Sequence, residues 1–151
     1  MPPDRLRLLF ATGVLSILGI GVAGYLTVVH YREDLLVCGV TGGCHTVQSS
    51  SYAVVAGIPI AILGLLMYVA MLGLVAVRLR RPDLNDATTM AAFAIALTGL
   101  LYSVFLTYVE LFVIDAICQW CVVSALLTLG LCSIEGFNVW RSFDLEPVDV
   151  E

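Results

Sequence analysis

"AICQWCVVSALL", residues 116–127, decides how this chain is read. A Cys-x-x-Cys pair, Cys118 and Cys121, stands at the head of a run that continues to Ile134 without one charged residue. A stretch of that length and character is a candidate membrane helix, which needs ~17–25 mostly apolar residues to cross a hydrocarbon core. A dithiol at the mouth of such a helix is chemically odd, because reactive thiols ordinarily meet their partners in water.

The rest of the chain supports a bilayer setting. Of 151 residues, 60% are hydrophobic and 13% charged, against roughly 45–50% apolar and about 25% charged in a soluble domain. Three further apolar segments precede the first-quoted one. They run from about Leu8 to Val29, from Gly57 to Val77 and from Ala91 to Ile114, and the last segment runs from Ile117 to about Phe137. None alternates as a barrel strand does, so the expectation is an all-α, polytopic four-helix transmembrane bundle in a single domain. The first segment follows Arg5 and Arg7 as a signal peptide would, but its apolar core exceeds the ~7–15 residues of a signal h-region. It reads as a retained helix.

All seven basic residues are Arg, against 12 acidic ones, for a net charge of −5. No basic stretch suggests nucleic acid, and the acidic end 144–151 reads as a solvated tail. Arg5 and Arg7 precede the first span, Arg78, Arg80 and Arg81 are taken as the loop between the second and third, and Arg141 follows the fourth. With four spans these six share one side, and Arg32 alone lies opposite. Short Arg-rich loops stay cytoplasmic, so both termini are expected in the cytoplasm. The long loop from about His30 to Ala56 and the tight turn near Asp115 then face outward.

Those two outward segments carry four of the five cysteines. Cys38 and Cys44 lie in the loop, Cys118 and Cys121 at the start of the fourth helix, all toward a compartment where disulfides form and persist. Asp115 is expected to cap that helix, which would make Cys118 its third residue. There the exposed N–H groups and the helix dipole lower a thiol pKa. Cys121 would sit one turn deeper, about 5 Å along the axis, toward the apolar interior. The loop pair is set among glycines in "CGVTGGC" (38–44), pliable enough to bring Cys44 to Cys38 or to Cys118. Exchange through mixed disulfides requires such movement. A pair of purely structural staples, and a zinc site built from C-x5-C and C-x2-C, are the blander readings of the same four residues; exported thiols usually oxidise, so no metal is expected.

With these motifs in view the chain resembles the vitamin K epoxide reductase family, in the bacterial form that couples disulfide formation to a quinone. "CGVTGGCHTVQSSSYAVVAGIPIAILGLLMY" (38–68) is similar to that family's outer loop, cover segment and second helix. "YVELFVIDAICQWCVVSA" (108–125) is similar to the end of its third helix and its redox motif. The resemblance implies an electron relay. Cys38 and Cys44 would accept electrons from a thioredoxin-like partner, Cys44 would attack the Cys118–Cys121 disulfide at Cys118, and Cys121 would reduce a membrane quinone, menaquinone or ubiquinone. By family position Ser50, Pro59, Leu63, Met67 and Leu106 would join Cys121 around the quinone. Some members carry a fused thioredoxin-like domain; none is expected in these 151 residues, so the partner would be a separate protein. The vertebrate enzymes bind quinone carbonyls with an Asn and a Tyr where this chain has Ile60 and Ala125, which points to a respiratory quinone and away from vitamin K epoxide.

Glu110, near the outer end of the third span, is a candidate proton relay, because an ionisable residue within a span is costly. Cys132 is expected to be a buried structural cysteine, about 16 Å beyond Cys121 along the helix. His45 reads as a solvated loop histidine and His30 as an interface anchor. The rival function is a disulfide-stapled scaffold or subunit without enzymatic activity. A second rival, a conduit passing electrons outward, usually places its cysteines near the cytoplasmic side.

Overall fold

The computed structural model describes residues 3–39 and 42–144. Five α-helices organise them: α1 Pro3–Tyr31, the short α2 Cys44–Gln48, α3 Ile60–Arg80, α4 Asn85–Val109 and α5 Gln119–Asp144. Four helical stretches are long and apolar enough to cross a membrane, namely Asp4–Tyr31, Ile60–Arg80, Pro82–Ile114 and Gln119–Phe143. The chain is an all-α, multi-pass bundle in which α1 packs on α3 and α5, and α4 packs on α5 and α3. Large apolar side chains such as Phe10, Val69, Val104 and Leu126 are exposed, the surface a hydrocarbon solvent requires.

The interior is knit from small residues and one large polar-tipped one. Ala23, Met71, Ala92, Ala96, Leu131 and Cys132 surround Tyr68 in a single buried cluster. A Cβ at Gly19 would collide with the Tyr68 ring, so the glycine is what lets α1 approach that phenol. Cys132 is buried in this core, away from the other cysteines, as the helix geometry predicts.

Each span outruns its apolar segment at the end that carries the termini, α4 among them. It begins at Asn85, six residues before the expected Ala91, because the polar turn "NDATT" satisfies itself: Thr88 and Thr89 Oγ1 both donate to the Asn85 carbonyl, at 2.9 and 2.7 Å. Arg78 is also placed differently. It is not a loop residue but lies inside α3, 3% exposed. Its guanidinium grips Glu135 of α5 through two hydrogen bonds of 3.1 and 2.8 Å and donates to the Thr88 carbonyl at 3.0 Å. Thr12 of α1 donates to the same Glu135 carboxylate at 3.0 Å. One buried ion pair thus ties α1, α3, α4 and α5 at the end of the bundle that carries both termini.

At the other end, α4 closes with one wide π turn, Glu110–Ile114. Asp115 follows with φ 52°, in the left-handed region that aspartate tolerates. Between α2 and α3 a two-residue turn, Ala56 and Gly57 with φ 52° and 83°, joins β1 (Val54–Val55) to β2 (Ile58–Pro59). Positive φ at both central residues is the twist a short hairpin needs.

Candidate redox site

The outer loop is held from two sides before it reaches its first cysteine. Tyr25 of α1 accepts a hydrogen bond from the Val37 N–H at 2.8 Å and donates to the Leu35 carbonyl at 3.3 Å. Trp120 of α5 stacks obliquely on Tyr25, ring centroids 5.0 Å apart, and donates from Nε1 to the Val37 carbonyl at 3.0 Å. Gln119 Oε1 accepts from the Gly39 N–H at 3.2 Å. Tips of the first and last spans therefore position Cys38 by its backbone.

Cys38 is bonded to Cys44 as a disulfide with Cα atoms 6.0 Å apart, while Cys118 and Cys121 are free thiols. Cys38 is half-buried. Cys44, the first residue of α2, is fully buried. It reaches that depth because Gly43 lies against the turn before α5: a Cβ there would come within 2.8 Å of both the backbone nitrogen and oxygen of Ile117. Cys44 and Cys118 consequently share one buried cluster with Val47, bordered by Leu36, Cys38, Ile114, Ala116, Trp120 and Cys121.

The expected cap of α5 is corrected by the geometry. Asp115 is exposed and terminates the preceding π turn, where its N–H bonds to the Glu110 carbonyl. The helix is capped by Cys118. Its carbonyl accepts from the Val122 N–H at 3.1 Å, and its sulfur accepts from the Cys121 N–H at 3.4 Å. That is the pattern of a helix N-cap, with a thiol in the place of the usual hydroxyl or carboxylate. Aspartate suits either position, and the two residues gained by the left-handed turn put the sulfur at the cap. The Cys118 thiol is shifted below its ordinary range. The largest cause is a hydrogen bond from the Cys121 side chain, helped by the Cys121 and Trp120 backbone and opposed by burial and by the nearby Glu110 charge.

Glu110, 5% exposed, belongs to the same centre. Its Oε2 accepts the Cys118 N–H at 3.1 Å, and its backbone carbonyl accepts from Ala116 at 3.1 Å. One residue thus holds both ends of the turn that carries Cys118.

Behind the thiols lies a cavity of about 1020 Å³ between α3, α4 and α5, roofed by the segment 47–55. Its wall includes Cys121 and Glu110 together with Ser50, Leu63, Met67 and Leu106. Pro59 is buried but not part of that wall; its neighbour Ile60 is, and Ala125 is not. The size and mostly apolar lining suit an aromatic ring with a hydrocarbon tail, since ligand sites are apolar clefts with few polar groups. A polar group that sequence reading overlooked stands on this wall. Tyr68 Oη lies 2.9 Å from the Ser124 carbonyl, 3.0 Å from Ser124 Oγ and 2.9 Å from Thr128 Oγ1. The available signal was a tyrosine within an apolar run, whose hydroxyl must find a partner when buried, and a Ser-x-x-x-Thr pair on one helix face. His45 is exposed, and among the described residues no group of three or more His, Cys, Asp or Glu could hold a metal ion.

The arrangement joins a disulfide at the surface, a capped thiol beneath it and a second thiol opening on an apolar chamber. The sequence model of the vitamin K epoxide reductase family matches residues 10–135, which reaches into all four spans and takes in all four of these cysteines. By that match, and with this fold, the chain belongs to the vitamin K epoxide reductase family of membrane oxidoreductases.

Proposed function

We propose that the protein makes disulfides by passing two electrons from extracytoplasmic protein thiols to a quinone in the membrane. The observation that carries this reading is the placement of three sulfurs: Cys44 and Cys118 lie in one buried cluster, and Cys121, one turn on, opens onto the large apolar cavity.

The relay balances as follows. A dithiol of a separate thioredoxin-like partner reduces the Cys38–Cys44 disulfide through a mixed disulfide at half-exposed Cys38, and leaves as a disulfide itself. The Cys44 thiolate then attacks Cys118 of a Cys118–Cys121 disulfide, expelling Cys121 as thiolate. Cys38 attacks Cys44, the outer disulfide re-forms, and Cys118 is released. The inner pair now holds the two electrons, with the outer pair oxidised, which is the redox arrangement present in this structure. A quinone in the cavity supplies an acceptor for those two electrons and two protons. The capping N–H of Cys121 favours thiolate at Cys118. Glu110, bonded to the Cys118 N–H and facing the cavity, is placed to carry a proton toward the acceptor. Tyr68, Ser124 and Thr128 offer the cavity hydroxyl groups, while Leu63, Met67 and Leu106 exclude water from it.

The arginine distribution supports the orientation. With Arg78 paired inside the bundle, Arg5, Arg7, Arg80, Arg81 and Arg141 still lie at the end that carries the termini, against Arg32 at the other. That end is cytoplasmic by the positive-inside rule, and the cysteines face out.

The test is anaerobic. Purified protein with all disulfides reduced is mixed with menaquinone or ubiquinone, and the quinone absorbance is followed. Loss of oxidised quinone in proportion to protein, with recovery of the Cys118–Cys121 disulfide by peptide mapping, is the expected result. Unchanged quinone beside intact folded protein would leave the disulfide-stapled scaffold as the better reading.

A further inference from the structure

A second, much smaller recess lies at the opposite end of the bundle, lined by Arg5, Leu9, Arg78, Asn85, Thr89, Asn138, Arg141 and Ser142. Three of these eight residues are arginines, drawn from α1, α3 and α5, and four more carry amide or hydroxyl groups. No carboxylate with a described side chain lines it. The one acid bonded to this group, Glu135, is already engaged by Arg78 and Thr12. Arg5 and Arg141 form no ion pair with a residue whose side chain is described, which leaves out residues 144–151. Arg141 lies over the Phe137 ring at 5.6 Å, which steers its guanidinium without neutralising it. Nor is Arg78 fully satisfied: its Nε is buried and has no hydrogen-bond partner among the described residues.

With Arg78 paired to Glu135, Arg5 and Arg141 bring two further positive charges to the same hollow, a setting that favours an anion. The hollow gives about 20 Å³ of room for the centre of a water molecule, little more than a single water needs, so one oxygen of a larger anion would enter it and the rest would lie at its mouth. Guanidinium forks match tetrahedral oxyanions, and hydroxyl and amide donors complete their coordination. The position fits as well, since Arg5, Asn85 and Arg141 all lie within the terminal turns of their helices, at the level where phospholipid headgroups meet a spanning bundle.

We infer that this recess is a binding site for a phosphate group, presented by an anionic lipid headgroup or by a soluble phosphate. The bound group would bridge α1, α3 and α5 where the Arg78–Glu135 pair already joins them. The site is separate from the redox centre and does not depend on how that centre works.

The test uses the full chain in detergent. Binding is read by native mass spectrometry and by thermal shift with two probes: inorganic pyrophosphate, and short-chain phosphatidic acid with phosphatidylcholine as the neutral comparison. The expected result is saturable binding of at least one phosphate probe and a raised melting temperature. R5Q and R141Q should each bind about tenfold more weakly, the loss expected of one hydrogen bond to a charged group. Both leave the Arg78–Glu135 pair intact, so their fold is not in question. Retention of the lipid alone assigns the headgroup as the source; retention of pyrophosphate alone assigns a soluble phosphate. Absence of binding by either probe, or equal binding by wild type and both variants, overturns the proposal. So does binding that emerges only after removal of residues 145–151, which would give the recess to the chain's own acidic end.

Discussion

The two ends of this bundle handle buried polarity in opposite ways. At the terminus-bearing end, Arg78 and Glu135 are 3% and 0% exposed, and they face each other across two hydrogen bonds. Thr12 and the Thr88 carbonyl complete the set, and the polar groups there hold one another in place. At the cysteine end the polar groups border open space: a sulfur caps a helix, a carboxylate holds the Cys118 N–H, and a chamber of about 1020 Å³ opens behind them. A buried charge pair is costly to break and contributes little by simply existing. A buried thiol surrounded by donors keeps its reactivity. One end ties the helices together, while the other encloses the cavity.

The sharpest way to break this contrast is at Cys121. Cys121→Ala should abolish quinone-linked turnover and leave a Cys44–Cys118 mixed disulfide in exchange with the Cys38–Cys44 bond, because Cys118 then has no inner partner and only Cys38 can resolve it. Its melting temperature should stay near that of the wild type. Non-reducing peptide mapping decides it; a mixed disulfide involving Cys38 in place of Cys44 would reverse the roles given to the outer pair.

Arg78→Ala should do the reverse, losing fold while sparing chemistry in whatever protein remains folded. It leaves Glu135 buried without its partner, a loss of about 3–5 kcal/mol. Arg78→Met combined with Glu135→Leu should recover most of that, since two apolar residues of similar volume replace a pair whose desolvation is expensive. Denaturation in detergent checks both. A double variant no more stable than the single one would mean that Glu135 matters mainly through Thr12.

The smallest effect belongs to Glu110. Glu110→Gln retains an oxygen for the Cys118 N–H but removes a negative charge that raises the Cys118 pKa. The Cys118 titration, followed by thiolate ultraviolet absorbance in reduced protein, should therefore move to lower pH by about one unit or less. Thiolate would persist further into acid. A shift to higher pH would show that the hydrogen bond to the carboxylate matters more than its charge.

The four spans were legible because hydropathy over twenty residues is a strong signal, and the family motifs put all four cysteines into one site. What escaped was decided partly by pairs distant in sequence and partly by competing local rules. Arg78 sits among loop-like arginines, and nothing local announces that Glu135, 57 residues on, will draw it inward. The start of α4 was hidden because "NDATT" is polar, yet its threonines satisfy their own backbone. At Asp115 two local rules compete: aspartate favours both helix caps and left-handed turns. The turn prevailed, and capping passed to Cys118. Tyr68 was obscured because its value comes from Ser124 and Thr128 on another helix.

The Arg78–Glu135 tie also has a consequence in time. A chain emerges from its N-terminus, so α1, α3 and α4 are made before the helix that carries both Glu135 and Cys118. Until α5 arrives, Arg78 lacks its Glu135 partner, and its long side chain can reach toward the headgroups from the end of α3. During that interval Cys38 and Cys44, six residues apart, are the only cysteines yet made. Order of synthesis alone then favours their pairing with each other, and the late entry of α5 delivers the inner thiols to a partner disulfide already formed.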